Sequence, residues 1–129
     1  MCADSIRPET DDLRPTVLVM DDDPAVVEIV EIALRLAGMR VLGTSDSRHG
    51  VRLAASEPWD VALLDVDMPG LDGWVALDSL KASCGQPVVM MSALSTPAEA
   101  SDRGADAFLA KPFSMAELVA TIRRCVALA

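Results

Sequence analysis

The sequence predicts a doubly wound α/β domain: a five-stranded parallel sheet in the order 2-1-3-4-5, with five helices covering both faces. Three observations predict it. Wholly apolar runs of about four or five residues alternate with segments of helical period. The clearest of these runs lack the in-out alternation of a sheet with one wet face, so both faces are covered. Helix starts are marked by capping side chains or by a Pro-Gly turn, which separates each strand from the helix after it. Right-handed crossovers join parallel strands of this kind. One common order for such sheets, 2-1-3-4-5, opens a ligand crevice at the carboxyl ends of the first and third strands.

The elements follow in order. Residues 1–15, MCADSIRPETDDLRP, hold four acids, two arginines and two prolines without a period, and read as a flexible leader to a domain spanning 16–129. Thr16 to Met20 is the first strand and stops at Asp21-Asp22-Asp23. Asp23 then caps a helix with Pro24 at its first position, where a missing N–H is harmless. Val26, Val30, Ala33 and Ala37 recur at helical spacing up to Gly38. Arg40 to Gly43 is a weaker second strand and Ser47 to Ser56 the second helix. Val61 to Leu64 is the third strand, followed by the Pro69-Gly70 turn and a helix over about Gly73–Ala82. Val88 to Met91 is the fourth strand.

Thr96-Pro97-Ala98-Glu99 has the form of a capping box and opens a short fourth helix, Pro97 to Arg103. Alanine is its only apolar residue, so it buries little and is expected to be the loosest helix. Ala107 to Ala110 is the fifth strand. A second box, Ser114-Met115-Ala116-Glu117, starts the last helix, with Met115, Leu118, Val119, Ile122 and Val126 as its apolar stripe. The sequence given ends after that helix, so the expectation is a domain acting alone or a piece of a longer chain.

Composition narrows the function. A chain of 129 residues with 51% hydrophobic and 24% charged side chains suits one globular domain with an ordinary core. Its net charge of −9 argues against duplex DNA or an anionic membrane as the domain's own partner, since both bind clustered Lys and Arg. No apolar run reaches the roughly 18 residues of a membrane helix. Cys2, Cys84 and Cys125 are scattered, with no CxxC, and His49 is the single histidine, so neither a disulfide framework nor a zinc site is supported. Thiols expected to be free, and no signal-peptide pattern, point to the cytoplasm.

The chemistry gathers at the predicted crevice. The first strand runs into Asp21 and Asp22, the third into Asp65 with Asp67 two residues on, the fourth into Ser92 and the fifth into Lys111-Pro112. Converging carboxylates repel and must protonate, spread or gain a cation. Oxygen donors around a small crevice suit Mg²⁺, which accepts one or two carboxylates together with a phosphate oxygen. One aspartate can then act as a nucleophile toward phosphorus, with an ammonium and a hydroxyl supporting the transferred oxygens.

These motifs (VLVMDDDP, LLDVDMPGLDG, VVMMSA and FLAKPF) resemble, in order and at the expected strand ends, the receiver domains of bacterial two-component response regulators, of the chemotaxis-regulator type. The likeness covers about residues 16–128 and implies a flavodoxin-like (βα)5 fold. It implies that Asp65 is the phosphoacceptor and that Asp21, Asp22, Asp65 and the backbone carbonyl of Asp67 hold Mg²⁺ or Mn²⁺. Ser92 and Lys111 assist the transfer, Ser92 and Phe108 form the switch pair, and Lys111-Pro112 is a cis peptide. A sensor histidine kinase or phosphotransfer protein is the implied donor. The helix 4/strand 5/helix 5 face is implied to pass the signal to a downstream protein or an output domain, or to form a homodimer. From Ser92 to Lys111 is 19 positions, shorter than the family's usual spacing, and the shortfall lies in the fourth helix.

Other readings fit less well. A haloacid-dehalogenase-type phosphatase also uses a DxD, matched by Asp65-Val66-Asp67, but its further acidic ligands lie downstream and here the acidic pair lies upstream. A calcium loop counted from Asp65 would need a bidentate Glu where Ala76 stands. A receiver that only binds partners is disfavoured, because every expected chemical side chain is present.

Overall fold

The computed structural model describes residues 14–128. Most of the leader, Cys2 included, lies outside them. The elements are β1 (Thr16–Met20), α1 (Pro24–Leu36), β2 (Arg40–Thr44), α2 (Ser47–Ser56), β3 (Val61–Asp65), α3 (Gly73–Ser83), β4 (Val88–Ser92), α4 (Pro97–Asp102), β5 (Ala107–Ala110) and α5 (Met115–Leu128). All strand pairings are parallel, in the order β2-β1-β3-β4-β5. Strands β3 and β4 each run one residue further than their apolar runs, because Asp65 pairs with Met91 and Ser92 with Ala110. Two polar side chains are therefore held by the sheet itself and not by loops.

Alternation along the strands divides the core between the two faces. Leu18, Met20, Ala62, Leu64, Val88 and Met90 pack with Ala54 of α2, Trp74, Leu77 and Leu80 of α3 and Ala100 of α4. Val17, Val19, Val61, Leu63, Val89 and Met91 pack with Val30, Ala33 and Leu34 of α1 and Leu118, Ile122 and Cys125 of α5. Burying a side chain of this size stabilises by about 1.5–3 kcal/mol.

The caps explain the helix starts. Asp23 accepts from the Ala25 N–H and Asp72 from the Trp74 N–H, while Thr96 accepts from the Glu99 N–H. Ser114 and Glu117 bond reciprocally, each side chain to the other's backbone N–H.

Some expectations need correction. The inward face of α1 is Val27, Val30, Ala33 and Leu34, with Val26 and Ala37 only partly covered. Helix α1 keeps its charges, Glu28, Glu31 and Arg35, to one narrow stripe and is apolar over the rest of its circumference, so four-residue spacing fitted more than one line along it. Met115 is half exposed, and Thr121 and Cys125 take inward positions on α5. Cys125 is a free, buried thiol, but Cys84 is disulfide-bonded. Pairing depends on proximity in the fold, which cysteine spacing does not encode. No helix among the described residues is long and apolar enough to cross a membrane.

Candidate functional site

At the carboxyl edge of the sheet the strand order brings β1 and β3 side by side, with β4 and β5 next to β3. Asp21, directly after β1, is 1% exposed, and Asp65, the last residue of β3, is 3% exposed. Two buried carboxylates this close require a cation. Lys111, just after β5, supplies it: its Nζ lies 2.7 Å from Asp21 Oδ2 and 3.2 Å from Asp65 Oδ1. Burial alone would lower the lysine's pKa, but its bonds to Asp21 and its proximity to Asp65 outweigh that and raise it. The ammonium is therefore a fixed charge at neutral pH.

Asp65 behaves differently. Burial first, then the charge of Asp21, push its carboxyl up to about 6, although Lys111 pulls the other way. One ammonium does not fully compensate the acidic pocket. Asp22, exposed on the rim, completes a trio in which Asp21, Asp22 and Asp65 each offer a carboxylate oxygen within 4.8 Å of the others. Among the described residues no buried side-chain nitrogen or oxygen lacks a partner.

The donor set passes a test of fit to a hard divalent cation. It is all oxygen, it has one open, solvent-facing side at Asp22, and its negative charge exceeds its positive charge. Asp21 Oδ1 accepts the Asp23 N–H at 2.9 Å, which pins that carboxylate's orientation. Asp67 is exposed, and its N–H points to Asp65 Oδ1 at 3.4 Å, so the turn after β3 folds back over the carboxylate. Ser92 is buried, and its Oγ accepts the N–H groups of Leu94 and Ser95 at 3.0 Å each. With its lone pairs engaged, the hydroxyl proton is what Ser92 has left to give. The Lys111 N–H donates to the Ser92 carbonyl at 2.9 Å, tying the lysine to the end of β4. The Lys111–Pro112 peptide is cis.

The structure thus gathers Asp21, Asp22, Asp65 and Lys111 into one cluster, bordered by Asp67 on the turn after β3 and by Ser92 at the end of β4. Phe108 stands apart, half-buried in β5 against the core that holds Trp74 and Met90. Two features escaped the sequence reading. Gly73 sits so close behind Asp65 that a Cβ there would overlap the Asp65 carbonyl oxygen and the backbone of Val66. A groove of about 400 Å³, lined by Val26, Ile29 and Val30 of α1 and by Ala93, Pro112 and Phe113, opens beside Lys111. Ile29 and Ile32 are about half exposed and Leu36 more so. The excess of apolar residues on α1, more than one inward face can bury, was the available signal for that face.

Comparison with known proteins agrees with this fold. The family model described as the response regulator receiver domain matches residues 17–123. The transcriptional activator protein PfeR of Pseudomonas aeruginosa is 42% identical over 107 residues, covering 81% of this chain and 35% of that protein. The transcriptional regulatory protein KdpE of Mycobacterium tuberculosis is 36% identical over 113 residues, 85% of this chain and 50% of its own. The chain therefore spans between a third and a half of these relatives. Among solved structures, the Francisella response regulator 1452 receiver domain superposes with a TM-score of 0.84 at 30% identity, covering 89% of this chain and 98% of that one. Chemotaxis response regulator CheY4 of Vibrio cholerae gives 0.80 at 26% identity over 87% and 98%.

Proposed function

The chain belongs to the response regulator receiver domain family, and from that premise we propose that Asp65 accepts a phosphoryl group from a phosphohistidine of a sensor kinase or phosphotransfer protein. The observation that carries this reading is the Lys111 ammonium bridging Asp21 and Asp65 inside an all-oxygen pocket that remains under-compensated.

Receiver domains bind Mg²⁺ at an acidic pocket, and Asp21, Asp22, Asp65 and the Asp67 carbonyl are the groups that would hold it, or Mn²⁺, here. When bound, the ion supplies charge compensation for the phosphoryl oxygens. This chain's residues do the rest. An Asp65 carboxylate oxygen attacks phosphorus in line, the donor's P–N bond breaks, and the imidazole leaves with the electron pair. A small acyl phosphate donor would lose its carboxylate in the same way. Lys111 exchanges its contact with Asp65 for one with a phosphoryl oxygen, and Ser92 donates its hydroxyl proton to another. Attack by water on the aspartyl phosphate later returns the carboxylate and inorganic phosphate. The domain thus turns over its own modification and no separate substrate.

The added charge of about −1.5 to −2 then biases Ser92 and Phe108 toward a second arrangement of α4, β5 and α5. A downstream protein, an output domain or a second copy of the chain would read that face. As in its family, the domain would work in the cytoplasm.

The test is intact mass after incubation with acetyl phosphate and Mg²⁺. Wild type gains one phosphoryl group and Asp65→Asn gains none. A gain that survives the substitution moves the acceptor elsewhere.

A further inference from the structure

Building on the phosphoacceptor reading, we propose that Arg103, through its stack on Trp74, is the positioning residue that couples the β3–α3 turn behind Asp65 to the short helix α4. Helix α4 has six residues, and Ala100 alone is buried. Apolar packing therefore seats this helix on β5 through one small side chain. Its C-cap residue does more: the Arg103 guanidinium lies 5.0 Å from the centroid of the Trp74 ring, within cation–π range. Trp74 is 7% exposed and belongs to the same core cluster as Val66 and Ala100, with Phe108 packed against that cluster. The indole is consequently a rigid plate with one face offered to α4.

The other end of the linkage reaches the phosphorylation site directly. Trp74 is the second residue of α3, its N–H capped by Asp72 at 2.7 Å. Gly73 before it leaves no free space against the Asp65 and Val66 backbone, and its N–H donates to the Val66 carbonyl at 3.0 Å. Any rearrangement of the turn after Asp65 has to move the first turn of α3, because close-packed backbone transmits displacement and does not absorb it. Moving the Trp74 plate then moves the cation resting on it, and α4 with it. Helix α4 rests on β5, which holds it in place, and the stack on Trp74 adds its link to the first turn of α3.

Hydrogen exchange with and without Mg²⁺ and beryllofluoride, a phosphoryl mimic, tests this in wild type, Arg103→Ala and Arg103→Lys. Wild type should change protection in both residues 66–74 and residues 97–105. Arg103→Ala should keep the change in 66–74 and lose about two- to five-fold of the response in 97–105, the range of an exposed cation–π contact. Arg103→Lys, which keeps the charge, should restore part of it. A full response of 97–105 in Arg103→Ala overturns the proposal. So does an α4 already unprotected in ligand-free Arg103→Ala, which would make the arginine a strap and not a coupler. No change in 66–74 of the wild type also overturns the coupling, whose first step is movement of that turn, while intact mass with and without Asp65→Asn decides the phosphoacceptor reading separately.

Discussion

The charge state of Asp65 governs how this site behaves without a divalent ion. Its carboxyl is raised from 3.8 to about 6, by burial first and by Asp21 second. A group whose folded pKa lies above its unfolded value binds more protons in the folded state. Stability from Asp65 is therefore fully present below the unfolded pKa and is lost as pH rises through the folded one. In EDTA, Asp65→Asn should melt higher than wild type near pH 7.5, and the gap should close near pH 4. Thermal melts at the two pH values check it; an equal gap at both would show that Asp65 is already compensated. Divalent ions should shrink the high-pH gap. At Gly73 the argument is steric. A methyl group there meets backbone and not a movable side chain, so Gly73→Ala should cost about 1–3 kcal/mol in a urea titration. A neutral result would mean that the first turn of α3 can back away from Asp65.

Among the elements, α1 and α4 carry the most testable claims. The groove beside Lys111 is walled by α1 and continues into the exposed Ile32 and Leu36. On the proposed reading a kinase or phosphotransfer protein would present its phosphohistidine to Asp65, and this apolar wall is the adjoining surface it would bury. Ile29→Glu should therefore slow transfer from a protein donor at least tenfold, the cost of one desolvated anchor. Uptake from acetyl phosphate should be unchanged, since a small donor needs no docking face. Equal loss with both donors would place the defect in the site. Helix α4, with one buried residue, should exchange its amides faster than the other four helices. The sequence was readable at this scale wherever apolar runs ended abruptly: Asp21, Asp65, Ser92 and Lys111 stand out because hydropathy changes sign there. It was unreadable where a face is chosen by packing. Helix α1 offered several apolar stripes, and the Arg103–Trp74 stack joins residues 29 positions apart that nothing local relates.

Across the whole molecule, the strand order concentrates the chemistry. Five parallel strands end on one edge, and placing β3 between β1 and β4 puts its last residue at the centre of that edge. Charge adds a second constraint. On the proposed reading a domain at −9 that accepts a phosphoryl group would need a compensating cation on the spot, and Asp21, Asp22 and Asp65 are placed so that they could hold one. The parallel sheet was legible from the alternation of elements and its order only as one common arrangement of such sheets; the tightness of the pocket was not legible, because it depends on side-chain reach across three strands. The account turns on which atom takes the phosphoryl group. Aspartyl phosphates are acyl phosphates and can be reduced by borohydride to the alcohol, so protein phosphorylated with acetyl phosphate and Mg²⁺ can be reduced, digested and mapped by peptide mass. The account predicts reduction at Asp65 alone. Reduction at Asp21, Asp22 or Asp67, with Asp65 recovered intact, would contradict it.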